Sequence, residues 1–384
     1  MAELPCVNVL VSRTDEYFRC KSDSISEMLL KYLEDLSSRQ DIILYDHVSR
    51  DANKLYVSLH QLISNLEPNS RVLWAAVKVF EKLCCDMFFH NALVPNHKFI
   101  APIAELLVTN LTLDQKLCVL RILLVLTKPM DILEREPSLR IITSKLIEYI
   151  MTDEVDVVRL SLMALVNICR SNSSVIYSLK SCITGRFFRA LMNIQDDRIC
   201  TKIQMLQLLF LLEPISLAVD GPPDISKTII DITFSTMVDA CNTGELLLLS
   251  EIAHFFEELT FLPTYVDFLR NYQRCPEYTE NIIQLMRGSD LENVGILLDF
   301  IKALLSVNIP ALLPLYPQIV EEILPWIEND TVCTKVLRIL KIVVLNMEND
   351  MLVYNSIINL LDECLPAVIL ALVSSKIRLG YTEG

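Results

Sequence analysis

The side chains best placed to do chemistry are a handful of polar residues at one register of a recurring leucine-rich helix. They are Lys78, Lys82, Arg121, Asn167, Gln207, Glu251, His254, Glu258 and Lys341. The chemistry they offer is binding. Lys78, Lys82 and Arg121 present bases that suit a short acidic or phosphorylated segment, whereas Glu251 and Glu258 present acids. The plainer reading is a solvated polar edge. Catalysis has no such foothold, since the chain contains no G-x-S-x-G, no H-E-x-x-H and no glycine-rich phosphate loop. The tightest Cys/His group, Cys84, Cys85, His90 and His97, matches no common zinc spacing, and core cysteines beside loop histidines are the expectation there. No metal, no cofactor and no enzyme activity are expected.

The helix that must carry these residues ends at Leu83, Leu126, Ile168, Leu211, Leu259, Leu305 and Leu345, a recurrence of about 43 residues. Such a period describes a stack of small helical units, none able to bury its apolar face alone. With Ile168 as register mark, the positions one, four, five and eight before it share a face, because successive helical residues rotate by about 100°. That face lines the concave groove of an armadillo stack. The expected fold is therefore all-α, an armadillo/HEAT-like right-handed superhelical solenoid of about seven repeats, in one body over 1–384.

Helix starts are read from capping boxes at Ser24-x-x-Glu27, Thr112-x-x-Gln115, Asn242-x-x-Glu245 and Ser289-x-x-Glu292. In the third copy, Val155, Val158, Leu162, Leu165 and Cys169 make one apolar face, and Leu160, Met163, Ala164 and Ile168 a second, as in a sandwiched helix. Pro214, Pro222 and Pro223 punctuate the longest step and predict an irregular joint at 213–224; Pro310, Pro314 and Pro317 mark another irregular connection. No coiled-coil heptad pattern is recognisable. The apolar stretch 364–375 is too short to span a bilayer and is expected as a buried final helix.

Composition agrees. Across 384 residues, 52% are apolar and only 7 are glycine, which leaves little room for β-turns or Rossmann loops. A net charge of −14 argues against nucleic acid and against anionic membranes as direct partners. Twelve cysteines without a C-x-x-C pair, behind an N-terminal stretch unlike a signal peptide, predict reduced thiols and a cytoplasmic or nuclear setting.

The segment from Lys145 to Ile194 has a long helix closing on Asn167, Cys169 and Arg170. Asn172, Val175 and the pair Phe187 and Phe188 follow. This order resembles the N-terminal armadillo domain of the family of cancerous inhibitor of protein phosphatase 2A. The start, from Cys6 to Gln40, is similar to that family's first helices. The resemblance implies a non-catalytic scaffold that binds phosphatase regulatory subunits and restrains dephosphorylation. It also implies a BRCT-repeat checkpoint scaffold as partner in mitotic DNA-damage tolerance, and cytoplasmic residence with nuclear or mitotic chromosome association. Members dimerise and continue into a long coiled coil, which is not recognisable here, so a homodimer is expected only by analogy. The alternative is a generic armadillo adaptor, in transport, adhesion or as a regulatory subunit, binding an extended peptide. Against it, the positions equivalent to Asn167 are Lys82, Val125, Phe210, Glu258, Leu304 and Val344, so there is no asparagine ladder. Asn167 is instead expected to cap or bridge neighbouring helices.

Overall fold

The computed structural model describes residues 5–38, 49–84, 98–128, 137–216, 224–347 and 351–363, with 366, 368 and 369. Among these residues all regular structure is helical. The chain divides into two compact units, Met1–Asp196 with Leu211–Pro223, and Asp197–Phe210 with Asp224–Gly384.

The first unit contains α1 (Pro5–Arg19), α2 (Asp23–Ser38), α3 (Ser49–Asn65), α4 (Arg71–Cys84), α5 (Ile100–Leu107), α6 (Leu113–Leu126), α7 (Leu139–Ile150), α8 (Val155–Ser171), α9 (Ser173–Leu179) and α10 (Gly185–Met192). Its long helices α2, α4, α6 and α8 pack side by side in that order, backed by α3, α5 and α7. Next comes α11 (Ile199–Ser216), most of which belongs to the second unit. The rest of that unit contains α12 (Ile225–Thr243), α13 (Leu246–Thr260), α14 (Pro263–Arg270), α15 (Cys275–Met286), α16 (Leu291–Ser306), α17 (Tyr316–Ile323), α18 (Cys333–Asn346) and α19 (Met351–Glu363). Here α13, α16 and α18 pack side by side, backed by α12, α15 and α17. The seven recurring helices are thus α4, α6, α8, α11, α13, α16 and α18, and the fold is an all-α solenoid of the armadillo/HEAT kind.

The third copy illustrates why the period builds a stack. Helix α8 packs against α6 and α7, and Val158, Leu160, Leu162, Leu165, Ile168 and Cys169 are all buried. Each fully buried large aliphatic side chain contributes about 1.5–3 kcal/mol, which α8 gains only because neighbours cover both faces. Val155, in the first turn, remains 45% exposed. In the first unit Phe80 stacks on Phe99 with centroids 4.0 Å apart. In the second, Phe234, Phe256 and Phe300 form one cluster, with Phe256 and Phe300 at 4.4 Å.

Of the four capping boxes, only Thr112–Gln115 forms, with both reciprocal hydrogen bonds present. At α2 the cap is Ser22, whose Oγ accepts from the Ile25 amide, so the helix starts before Ser24 can serve. Asn242 lies inside α12, which ends at Gly244 with φ +67°, a left-handed C-cap that favours glycine. At α16 the cap is Asp290, which accepts from the Asn293 amide at 2.9 Å, while Ser289 donates to the Leu285 carbonyl. In both cases an acceptor one or two residues earlier or later takes the cap position. Helix α11 continues through Pro214 to Ser216, so this proline does not end it; the remainder of the predicted joint, 217–223, lies outside the described residues. The connection around Pro310 and Pro314 is a 3-10 turn, Pro310–Leu315. The stretch 364–375 lies almost wholly outside the described residues, as do Cys85, His90 and His97. Among the described residues, no helix is long and apolar enough to cross a membrane.

Candidate functional site

The register positions divide into two classes according to whether a neighbouring helix supplies a partner. Lys82 is half-buried on α4, and its Nζ donates to the Ser37 carbonyl at 2.9 Å. Ser37 lies in the last turn of α2, where carbonyls lack intrahelical donors, so Lys82 closes the end of that helix. Arg121 on α6 pairs with Glu81 on α4 at 2.8 Å. Glu81 also accepts from the buried Cys118 thiol; burial first, and then this carboxylate, hold the thiol well above its usual range. Gln207 is 2% exposed and donates to Glu251 at 2.9 Å. These are ties between successive repeats, joining residues 40 to 45 apart in sequence.

The remaining positions behave differently. His254 and Glu258 face solvent and, among the described residues, pair with each other, 3.6 Å apart along α13. Lys341 is exposed on α18 without a partner among the described residues. Asn167 is half-buried; among the described residues its side chain makes no hydrogen bond, and only its carbonyl is engaged, by Ser171 Oγ. A capping role of the kind expected of it is filled by Asn172, whose Oδ1 accepts from the Ser174 amide and hydroxyl and so starts α9. Of the other residues carrying the resemblance, Cys169, Phe187 and Phe188 are buried core, and burial pushes the Cys169 thiol up to about 12.

Lys78 lines a cavity. A hollow of about 490 Å³ lies in the first unit between the N-terminal turns of α4 and α6 and helix α2. Such a volume falls in the range of specific ligand sites. Its floor is one stripe of α4, Arg71, Trp74 and Lys78, which share a face because they stand at i, i+3 and i+7. One wall is Glu34 and Ser37 of α2; the other is the turn 109–112 with Gln115. The Trp74 indole Nε1 donates to the Pro68 carbonyl at 2.7 Å, which fixes the ring against the turn entering α4. Arg71 and Lys78 are exposed and have no partner among the described residues. The cavity therefore offers two uncommitted cations and an anchored aromatic ring, a set that attracts anionic side chains and covers an apolar one.

Arg71 and Trp74 are absent from the register set, since both precede the window of eight positions counted back from Leu83. Extending the stripe from Lys78 two turns toward the start of α4 would have found them. No described group of His, Cys, Asp and Glu is placed to hold a metal ion.

The family model described as "CIP2A, N-terminal" matches residues 1–376. No curated protein matches the chain. Among solved structures, an engineered protein aligns over 96% of this chain and 92% of its own, at 14% identity and a TM-score of 0.60, a likeness of fold. UNC-45 from Drosophila melanogaster aligns over 97% of this chain and 56% of its own at 15% identity, with a TM-score of 0.46. A structure from work on a phosphorylation switch between cadherin and β-catenin aligns over 89% and 80% at 12% identity, with a TM-score of 0.40.

Proposed function

The chain belongs to the CIP2A N-terminal family, and from that premise we propose that it is a non-catalytic scaffold that engages a regulatory subunit of protein phosphatase 2A and restrains dephosphorylation. The observation that carries the reading is the extent of the family match, residues 1–376, which takes in all the recurring helices. The physical design is compatible with it. Polar side chains between repeats are spent on holding helices together, and what remains for a partner is surface, chiefly the α4 stripe. The same reading includes a BRCT-repeat checkpoint scaffold as a second partner and places the protein in the cytoplasm with nuclear or mitotic association. Purified chain immobilised on beads and offered phosphatase regulatory subunits and the BRCT scaffold separately tests this. Saturable capture of a regulatory subunit is expected. Capture of neither leaves only a generic armadillo adaptor.

A further inference from the structure

We infer that the cavity over Arg71, Trp74 and Lys78 is a docking site for a short extended segment of another protein that carries two carboxylates three residues apart with an apolar side chain between them. The inference deepens the scaffold reading above and rests on it for the nature of the partner, a protein.

The spacing argument comes from the helix. Arg71 and Lys78 stand seven residues apart on α4, so their attachment points are separated by about 10 Å along the axis at 1.5 Å per residue. A segment in the extended polyproline-II conformation has three residues per turn and advances about 3.1 Å per residue, so side chains three apart lie on one face, separated by about 9 Å, whereas side chains two apart do not. Two cations held that far apart suit two single negative charges better than one dianion, whose oxygens converge on a point. Between the cations lies Trp74, whose ring is locked by its bond to Pro68, so a residue between the acids meets a flat apolar surface. The volume, about 490 Å³, accommodates a few residues and not a folded domain.

Charge around the site sets its polarity. Glu34 on the α2 wall repels acids from that side and keeps them over α4. Lys82, one further turn along the stripe, is tied to a carbonyl and not to a carboxylate, so its positive charge still adds to the field at the Lys78 end. Arg121 does not contribute in this way, because Glu81 neutralises it. The result is a local basic stripe on a chain whose formal net charge is −14, which confines acidic segments to this face.

Trp74 also supplies the readout. The chain contains 2 tryptophans, so Trp326→Phe leaves Trp74 as the single indole reporter. The experiment titrates the Trp326→Phe chain with synthetic peptides of one length: Glu-Ala-Leu-Glu at the centre, the same with both Glu as Gln, and a Glu-Leu-Glu version with shortened spacing. Saturable change in Trp74 emission with the first peptide is expected. Weakening by about tenfold is expected for the shortened spacing and for Arg71→Glu or Lys78→Glu, and none for Lys341→Glu. Circular dichroism of the variants excludes unfolding as the cause. Equal response to the Gln peptide, no saturable response to any peptide, or insensitivity to both charge reversals overturns the site. Phosphatase-subunit capture measured on the same variants separates the two readings. Peptide binding without capture retains the site and removes the phosphatase role, and capture unchanged in variants that no longer bind peptide retains the phosphatase role and overturns its assignment to this cavity.

Discussion

The α4 face of the first unit and the packed helices α13, α16 and α18 of the second use the same kinds of charged side chain for opposite ends. In the second unit Lys302 and Lys335 are consumed by neighbouring helices, while His254, Glu258 and Lys341 stay at the surface. Lys302 on α16 reaches Glu257 on α13 at 3.4 Å, and Lys335 on α18 reaches both Asp299 at 2.8 Å and the Gly295 carbonyl at 2.9 Å on α16. In the first unit Lys82 and Arg121 are likewise spent, but Arg71 and Lys78 find nothing opposite them and border a cavity instead. The same lysine chemistry is a fastener where an acid or a free carbonyl stands one repeat away, and a binding group where none does. Position in the repeat does not decide between these outcomes; the neighbour does.

The strongest way to break this comparison is to damage the second unit's core and ask whether the first unit's site notices. Phe256 is fully buried between Phe234 and Phe300. Phe256→Ala is expected to destabilise by about 3–5 kcal/mol, from lost transfer energy and the cavity left behind. Urea unfolding followed by circular dichroism measures it. In the Trp326→Phe background and below the unfolding transition, Trp74 emission is expected to stay at its native position, because the indole is held by contacts within the first unit. A shifted Trp74 signal in the folded variant would mean that the two faces are not separable.

A sharper contrast sets one lysine against another. Lys335→Ala removes a charged donor from a part-buried carbonyl and carboxylate and is expected to cost about 1.5–3 kcal/mol. Lys78→Ala removes a solvated, unpaired side chain and is expected to change stability by no more than about 0.5 kcal/mol. Equal losses in parallel urea titrations would sink the distinction between fastener and site.

The architecture was legible in the sequence because burial forces it. A helix such as α8, apolar on two faces, has to be covered from two sides, and the recurrence near 43 residues says what covers it. Cap positions were not legible at the same grain. Ser22 and Ser24, or Ser289 and Asp290, differ by one or two residues, and the choice depends on the path of the chain into the helix. The ties between repeats were invisible for a different reason. Whether Lys82 meets a carbonyl or Arg121 meets Glu81 depends on the relative phase of two helices whose residues lie 40 or more apart in sequence. The register therefore included Lys78, which borders the cavity, gave Lys82 and Arg121 a freedom that Ser37 and Glu81 remove, and did not reach Arg71 and Trp74.

The smallest expected effect tests whether the second unit's fasteners act as ion pairs. Arg287, at the end of α15, grips the Glu322 carboxylate on α17 through both its Nε, at 2.7 Å, and its NH2 group. The hydrogen bond from Arg287 comes first among the causes that hold the Glu322 carboxyl below its ordinary value of 4.5. A carboxylate with a depressed folded-state pKa binds fewer protons folded than unfolded. Its contribution to stability is therefore complete above about pH 4.5 and declines as pH falls through the folded value. Glu322→Gln removes this term. Midpoints of urea unfolding for the parent chain and the variant are expected to be separated at pH 7 and to converge below pH 4.5, with only a modest gap because Arg287 is 65% exposed and solvent screens the pair. A gap that stays constant down to pH 3 would assign Glu322 a packing role, and the contrast with the unpaired cations of α4 would then rest on Lys335 and Lys302.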